Sequence, residues 1–130
     1  LSAVTGERQK WRDAMERCAR ATTNLGAPVA RSPGYWNNIS QCCGNCGVGE
    51  FFLALHKATA KAEYLTTPKQ AATDTLRRAT AEGDGLKWTQ AEHRVRPELL
   101  IAQTGFMQGA AGVGTFFLHL DAASRGRAPG

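Results

Sequence analysis

The chain has 130 residues, of which 42% are hydrophobic and 21% charged, a composition typical of one modest globular domain and unlike that of a disordered chain. Its net charge is +5, but the basic residues are scattered singly or in pairs among acidic ones, so we expect no nucleic-acid partner. No apolar run approaches the roughly 18 residues of a membrane helix, and the first residues lack the apolar region of a signal peptide. We therefore expect a cytoplasmic protein without a membrane span, or a piece of one, since the chain does not begin with methionine.

The first predicted element is an amphipathic helix over residues 7–25. Apolar and small side chains recur at helical spacing, while the charged residues fall on other faces. The apolar stripe consists of Trp11, Ala14, Met15, Cys18, Thr22 and Leu25. Cys18 lies in the middle of this stripe, and we expect it to be a core residue.

A glycine-rich turn that contains three of the four cysteines leads into the next predicted helix. The segment QCCGNCGVGEFFLALHKA spans residues 41–58. Residues 47–58, and residues 112–123 later in the chain, are apolar around most of the helix circumference near the start, which is typical of a helix buried on more than one side. The glycine spacing resembles a phosphate-binding fingerprint, but that motif follows a β-strand, and none is visible before this turn.

A second polar-faced helix follows. Thr67 and Pro68 predict its N-cap and first residue, and Gly83 predicts its end. Residues 85–98 lack the helical pattern and are predicted to be an extended or short-strand insert. A short helix is then predicted over residues 97–103, starting at the proline.

The last predicted helix repeats the earlier one. Residues 106–123, FMQGAAGVGTFFLHLDAA, align with residues 41–58 at an offset of 65, and nine of the eighteen aligned pairs are identical. Such self-similarity indicates a repeat architecture. Because a polar-faced helix, a glycine turn and a buried helix occur twice in that order, the sequence predicts an all-α fold with outer and inner helix layers.

The repeat separates the roles of the cysteines. The second copy has Met107 and Gln108 where the first has Cys42 and Cys43, so packing does not require sulfur there. Adjacent cysteines just before a helix N-terminus lie where thiolates are favoured, and thiolates are ligands of Zn²⁺. Cys46 corresponds to an alanine, and we expect it to be a small packing residue.

A zinc site needs at least one further protein ligand. His93 lies in the insert and could reach the cysteines, although a solvated loop histidine is the commoner role. His56 and His119 lie well inside their helices, away from the glycine turns. A closed structural site also stays open as an alternative, with the ligands Cys42, Cys43, Cys46 and one other residue.

Three segments resemble the C-terminal part of LanC-like proteins, the lanthionine synthetase cyclases and their relatives. They are PGYWNNISQCCGNCGVGEFFLALHKATAKAEYL, GLKWTQAEHRVRPE and TGFMQGAAGVGTFFLHLDAA. The resemblance runs from about Trp11 to Ala123 and implies an α/α toroid. Residues 1–130 would form the last few hairpins of that single domain, with residues 124–130 as a flexible tail.

The resemblance also implies a catalytic zinc. In the family two ligands are usually a Cys-His pair before a glycine, and Cys42-Cys43 before Gly44 matches the branch with cysteine in the histidine position. The third ligand, a cysteine before the preceding inner helix, is implied to lie upstream of Leu1. The chain alone is therefore expected to have an incomplete site and to be inactive.

The implied activity of the whole protein is zinc-dependent addition of a peptide cysteine to dehydroalanine or dehydrobutyrine, which forms a thioether. In this chain His93 is the candidate catalytic residue, and Arg94 and Arg96 are candidate substrate-binding residues. One alternative is a LanC-like binding or regulatory protein that recognises small thiols such as glutathione. Another is a non-catalytic structural zinc module. The sequence gives no prediction of oligomeric state.

Overall fold

The computed structural model describes residues 2–30, 38–91, 95–96 and 98–126. Helices dominate this part of the chain and the strands are short, so the predicted all-α class is confirmed. In chain order the elements are α1 (Ser2–Asn24), α2 (Asn45–Thr59), a 3-10 turn (Ala62–Leu65), α3 (Thr66–Arg77), β1 (Thr80–Glu82), β2 (Gly85–Lys87), β3 (Thr89–Ala91), β4 (Leu100–Ala102) and α4 (Ala110–Ser124). The closed α/α toroid stays a prediction.

The sequence repeat is also a structural repeat, since α4 begins and ends 65 residues after α2. Gly44 and Gly109 cap the two helices with similar extended backbones, at φ −139° and −128°. The first amide of each helix donates to an equivalent loop carbonyl at 3.1 and 3.0 Å, from Asn45 to Asn38 and from Ala110 to Gln103. The two glycine turns are therefore copies of one structure.

Glycine is required where each loop presses on the first turn of its helix. A Cβ at Gly47 would overlap the carbonyl oxygen of Gln41, and a Cβ at Gly112 would overlap that of Phe106. Because these neighbours are backbone atoms, no side-chain rotation can make room. The glycines thus allow each loop to lie against its own helix.

α2 packs against both α3 and α4, and the main core forms between them. The Phe116 ring of α4 lies on Gly49 of α2, where a Cβ would collide with the ring. A second cluster forms where α1 meets Phe52 and Leu55. The prediction that α2 is buried on more than one side is confirmed, whereas the same prediction for α4 is wrong in the described structure, where Leu118 is 72% exposed. The buried residues of the main core are Ile39, Cys46, Leu53, Ala71, Ala72, Val113 and Phe116.

A polar contact fixes the start of α2 against α3. The fully buried Asn45 donates from Nδ2 to Asp74 Oδ2 at 2.7 Å, and the Arg78 guanidinium approaches the same carboxylate at 3.6 Å. Pairing of this kind offsets the cost of removing polar groups from water. The contact therefore specifies how the loop end of α2 is oriented.

The predicted end of the second polar-faced helix is wrong. α3 ends at Arg77, and β1 and β2 then pair as an antiparallel hairpin. Gly83 has a φ of +58° in the two-residue loop of this hairpin, a left-handed conformation that suits glycine. The glycine therefore forms a hairpin turn rather than a helix C-terminus.

The insert is extended, as predicted, in β2 and β3. The helix predicted over residues 97–103 is wrong, because Leu100–Ala102 form β4 and pair antiparallel with β3. Pro97 itself lies outside the described residues. The strand is specified by a partner about ten residues earlier, which the local pattern around the proline does not reveal.

The amphipathic helix forms as α1, but much of its apolar stripe is exposed. Trp11 is 63% exposed and Leu25 is 61% exposed. Cys18 is exposed too, so its prediction as a core residue is wrong. The neighbouring Ala19 is the buried residue that faces α2, and consecutive helix residues point about 100° apart.

Candidate functional site

The loop before α2 presents two adjacent thiols to solvent. Cys42 and Cys43 are both exposed, and their Sγ atoms lie 3.2 Å apart. Gly44 follows them directly as the N-cap of α2, so the pair lies at the positive end of the helix dipole. The arrangement favours negative charge on sulfur.

Ser40 supports this charge from inside the loop. Its side chain is only 1% exposed, and its hydroxyl lies 3.4 Å from Cys42 Sγ and 3.6 Å from Cys43 Sγ. The Ser40 backbone N–H donates to Asn38 Oδ1 at 2.8 Å, which fixes the bend of the loop. A hydroxyl so placed can donate to either sulfur once that sulfur is deprotonated.

The Ser40 hydroxyl is the largest influence that holds the pKa of Cys42 below its usual value. Partial burial opposes this effect, and contacts with Cys43 and the Gln108 side chain add to it. A lower pKa means more thiolate at neutral pH. At neutral pH a larger fraction of Cys42 is therefore thiolate than in an ordinary cysteine, and the thiolate is the form that binds metals and reacts with alkylating agents.

Replacing Ser40 by alanine is expected to slow the alkylation of Cys42 severalfold between pH 7 and 8. The reason is that the pKa of Cys42 rises when its main hydrogen-bond donor is removed, so that less thiolate is present below that pKa. The measurement is the rate of iodoacetamide labelling of metal-free protein, resolved by tandem mass spectrometry. Cys18 serves as the internal control, and an unchanged rate at Cys42 would contradict the assigned role of Ser40.

The second repeat holds the cysteine loop in place. The Cys42 N–H donates to the carbonyl of Met107 at 3.1 Å, and Gln41 Nε2 donates to the carbonyl of Gly112 at 2.8 Å. The Gln108 carbonyl in turn accepts from Gln90 Nε2 at 2.7 Å. These bonds join the insert and both glycine turns around the two thiols.

A hollow opens beside the thiols. It has a volume of about 250 Å³ and is bounded by the loop and the first turns of α2. A larger cavity of about 520 Å³ lies between α1, the 3-10 turn and α3, but no cysteine lines it. The smaller hollow is the one relevant to sulfur chemistry, and its lining is Gln41, Cys42, Cys43, Gly44, Gly47, Val48 and Phe51.

The chemistry of the two thiols suits zinc. Zinc binds thiolates at about 2.3 Å in tetrahedral geometry, which places two sulfur ligands roughly 3.8 Å apart. The observed separation of 3.2 Å is shorter, so the two sulfurs would have to move slightly apart to share one ion. Across residues 2–30, 38–91, 95–96 and 98–126, no group of three or more histidine, cysteine or acidic side chains is arranged to hold a metal. The described part of the chain thus brings together two sulfur atoms as candidate ligands, and no third one beside them.

Cys46 differs from its two neighbours. It is fully buried in the main core, and desolvation raises the pKa of its thiol to about 12. A thiol of this kind stays protonated at neutral pH and packs as a small apolar side chain. The contacts of Cys46 favour the packing role expected from its alanine counterpart.

The remaining sequence-predicted residues are not tested by the described structure. His93 and Arg94 lie outside the described residues. Arg96 is exposed, and its Nε lies 3.2 Å from Glu98 Oε1. Their roles stay predictions.

Sequence reasoning missed two features of this region. Ser40 gave no signal beyond its position two residues before Cys42. His119 and Glu50 form a pair across α2 and α4, with Nδ1 at 2.9 and 3.0 Å from the carboxylate oxygens. The repeat offered a signal for this pair. His119 and Glu50 are ionisable where their equivalents at the offset of 65, Ala54 and Thr115, are not, so each copy departs from the shared pattern at one of the two positions.

Among the described residues no helix combines the length and apolarity needed to cross a membrane.

Comparison with known proteins gives the family. No curated protein and no solved structure matches the chain. The family described as lanthionine synthetase C-like protein matches residues 4–130. Since this match covers nearly the whole sequence, the chain belongs to the lanthionine synthetase C-like family.

Proposed function

We propose that Cys42 and Cys43 hold zinc in a lanthionine synthetase-like cyclase that acts on a dehydrated peptide. The observation that carries the proposal is the exposed pair of sulfurs, 3.2 Å apart beside an open hollow. Family membership supports the same reading. The protein would work in the cytoplasm, where thiols stay reduced.

The proposed reaction forms a thioether. Bound zinc would supply a Lewis acid that keeps the peptide's cysteine as a thiolate. In the reaction the sulfur bonds to the β-carbon of dehydroalanine or dehydrobutyrine, and the electrons of the carbon–carbon double bond move toward the α-carbon. A proton delivered to that carbon completes the product.

The described residues would contribute charge control and a binding surface. Ser40 would hold negative charge on the cysteine sulfurs through its hydroxyl. Val48 and Phe51, which line the hollow, would contact the apolar part of the dehydrated residue. The open side of the hollow admits a peptide chain.

His93 would be the proton donor, and the support for this is the link between the preceding strand and the turn beside the cysteines. Gln90, three residues earlier, donates to the carbonyl of Gln108, whose side chain influences the pKa of Cys42. This contact joins Gln90 of β3 to the turn whose Met107 carbonyl accepts from the Cys42 N–H. Arg94 and Arg96 would then contact the peptide, and the remaining zinc ligand would come from outside the described residues.

The test is a cobalt titration of the whole chain. Thiolate-to-cobalt charge-transfer absorption reports how many sulfurs bind, and zinc then displaces cobalt in competition. Two thiolates are expected, and the band should be lost in Cys42→Ala and in Cys43→Ala. Cys46→Ala and Cys18→Ala are the matched controls and should keep it.

Two results would contradict the zinc proposal: retention of the band in both Cys42→Ala and Cys43→Ala, or its loss in Cys46→Ala. The second result would favour a closed structural site. Exposure of both sulfurs argues for an open site. The alternative function is the binding of a small thiol such as glutathione. A change in the cobalt absorption band on adding glutathione, but not on adding a dehydrated peptide that contains cysteine, would favour a binding protein.

A further inference from the structure

The two exposed cysteine sulfurs lie closer together than two ligands of a tetrahedral ion. Cys42 Sγ and Cys43 Sγ are 3.2 Å apart, whereas two sulfurs on a tetrahedral zinc ion are roughly 3.8 Å apart. Sulfurs approach more closely on a centre whose bond angles are narrower than tetrahedral. Three-coordinate trivalent arsenic has such angles, because its lone pair makes it pyramidal. The observed spacing therefore suits arsenic(III) without the widening that zinc needs.

The number of sulfurs brought together also selects the ligand. The chain has four cysteines, but Cys46 is fully buried in the main core and Cys18 lies on α1. Two sulfurs complete the valence of an arsenic atom that already carries one carbon substituent. Inorganic arsenite, which has no such substituent, would lack a third sulfur in this chain. The matching class of ligand is thus a monosubstituted trivalent arsenical.

Both sulfurs can be reached by such a ligand. Cys42 and Cys43 are exposed, and a hollow opens beside them. Soft thiolate ligands select soft centres, and arsenic(III) is one of these. The carbon substituent on the arsenic can stay in solvent, so the ligand needs no pocket of its own. Recognition therefore depends on the two sulfurs and on their spacing.

The loop holds the two sulfurs in place before a ligand arrives. The Cys42 N–H donates to the Met107 carbonyl at 3.1 Å. The Ser40 N–H donates to Asn38 Oδ1 at 2.8 Å, and the buried Ser40 hydroxyl lies 3.4 and 3.6 Å from the two sulfurs. A preorganised pair loses little conformational freedom on binding. Once one sulfur holds the arsenic, the other meets it at a high effective concentration.

We propose that Cys42 and Cys43 form a bidentate site for monosubstituted trivalent arsenicals. With an arsenoxide, RAs=O, two arsenic–sulfur bonds form and the arsenic–oxygen double bond breaks. The two thiol protons leave with the oxygen as water. Arsenic stays trivalent, so the reaction needs no oxidant or reductant. The product is a neutral ring that contains the arsenic and both sulfurs.

The arsenical site uses the same sulfurs as the proposed zinc site. A bound arsenical would displace zinc and block thioether formation, and this consequence rests on the proposed function. Binding of the arsenical to the metal-free chain does not depend on that function. The two proposals can therefore be tested separately.

The experiment uses the whole chain, reduced and metal-free, with phenylarsine oxide as the probe. Native mass spectrometry in excess mercaptoethanol should show one adduct per chain, with the mass of phenylarsine oxide less one water. Cys42→Ser and Cys43→Ser should each weaken binding by about a hundredfold or more, because a single thiol loses the effective concentration of the second. Cys18→Ser, at an exposed cysteine of α1, is the matched control and should bind as the wild type does.

Reversal tests whether both sulfurs hold the arsenic. Dimercaptopropanol should remove it, whereas mercaptoethanol at the same thiol concentration should not. The lack of an adduct, its removal by mercaptoethanol, or unchanged affinity in Cys42→Ser or Cys43→Ser would overturn the proposal. Binding of cobalt through both sulfurs without binding of the arsenical would overturn this inference alone. The opposite result would overturn only the zinc proposal.

Discussion

Replacing Phe116 by alanine is expected to lower the free energy of unfolding by about 3–5 kcal/mol. The ring is fully buried in the main core, where it meets α2 at Gly49 and packs at a tilt on Phe117 with centroids 5.7 Å apart. Its removal leaves a cavity between the two helices of the repeat. A loss of that size is a large share of the stability of an ordinary domain. Urea denaturation followed by circular dichroism measures it.

The contact with Gly49 makes this prediction specific. Gly49→Ala should cost about 1–3 kcal/mol by overpacking, since the new Cβ would meet the ring. In the Phe116→Ala background that cost should vanish, which a double-mutant cycle detects. Leu86→Ala is the control, and an exposed residue of this kind should change stability by less than about 0.5 kcal/mol. Additive effects of the two core changes would contradict the contact.

Replacing Gly47 by alanine is expected to cost about 3 kcal/mol and to disturb the cysteine pair. The added Cβ would overlap the carbonyl of Gln41, a backbone atom of the loop that carries both thiols. Either α2 or the loop must move, so labelling rates at Cys42 and Cys43 should change along with stability. Denaturation and site-resolved alkylation measure the two effects.

Glycine at an open helix position gives the matched control for Gly47→Ala. At Gly6 in α1 no described atom lies within 4 Å of the added Cβ, so Gly6→Ala should be neutral or gain up to about 1 kcal/mol. Gly112→Ala should cost as much as Gly47→Ala but should affect the thiols less. Equal stability of the Gly47 and Gly6 variants would show that the loop does not press on the helix.

The repeated part of the fold could be predicted from sequence because its signals are local. Glycines at the turn and apolar residues around the following helix define α2 and α4, and their alignment fixes both boundaries. The ends of α3 and of the insert could not be predicted so well. Gly83 ends a helix or forms a hairpin equally well from local rules, and β4 exists because β3 lies beside it.

The apolar stripe on α1 shows a second limit of prediction from sequence, which concerns burial. Periodicity indicates which side of a helix is apolar, but not whether another element covers it. Trp11 and Cys18 are exposed although they lie on the predicted stripe. For the candidate site, the adjacent cysteines were visible in sequence, while the Ser40 hydroxyl and the Gln108 amide became apparent only when the loops were brought together.

The bond from the Cys42 N–H to the Met107 carbonyl has a consequence for how such a site can change. Every residue type has a backbone carbonyl, so this hydrogen bond between the two glycine turns does not depend on which side chain is present at position 107. Substitutions at Met107 and Gln108 can therefore adjust the surroundings of the sulfur while the frame persists. The side chains of the second glycine turn can therefore change the reactivity of Cys42, by evolution or by engineering, without changing the backbone that holds the loop.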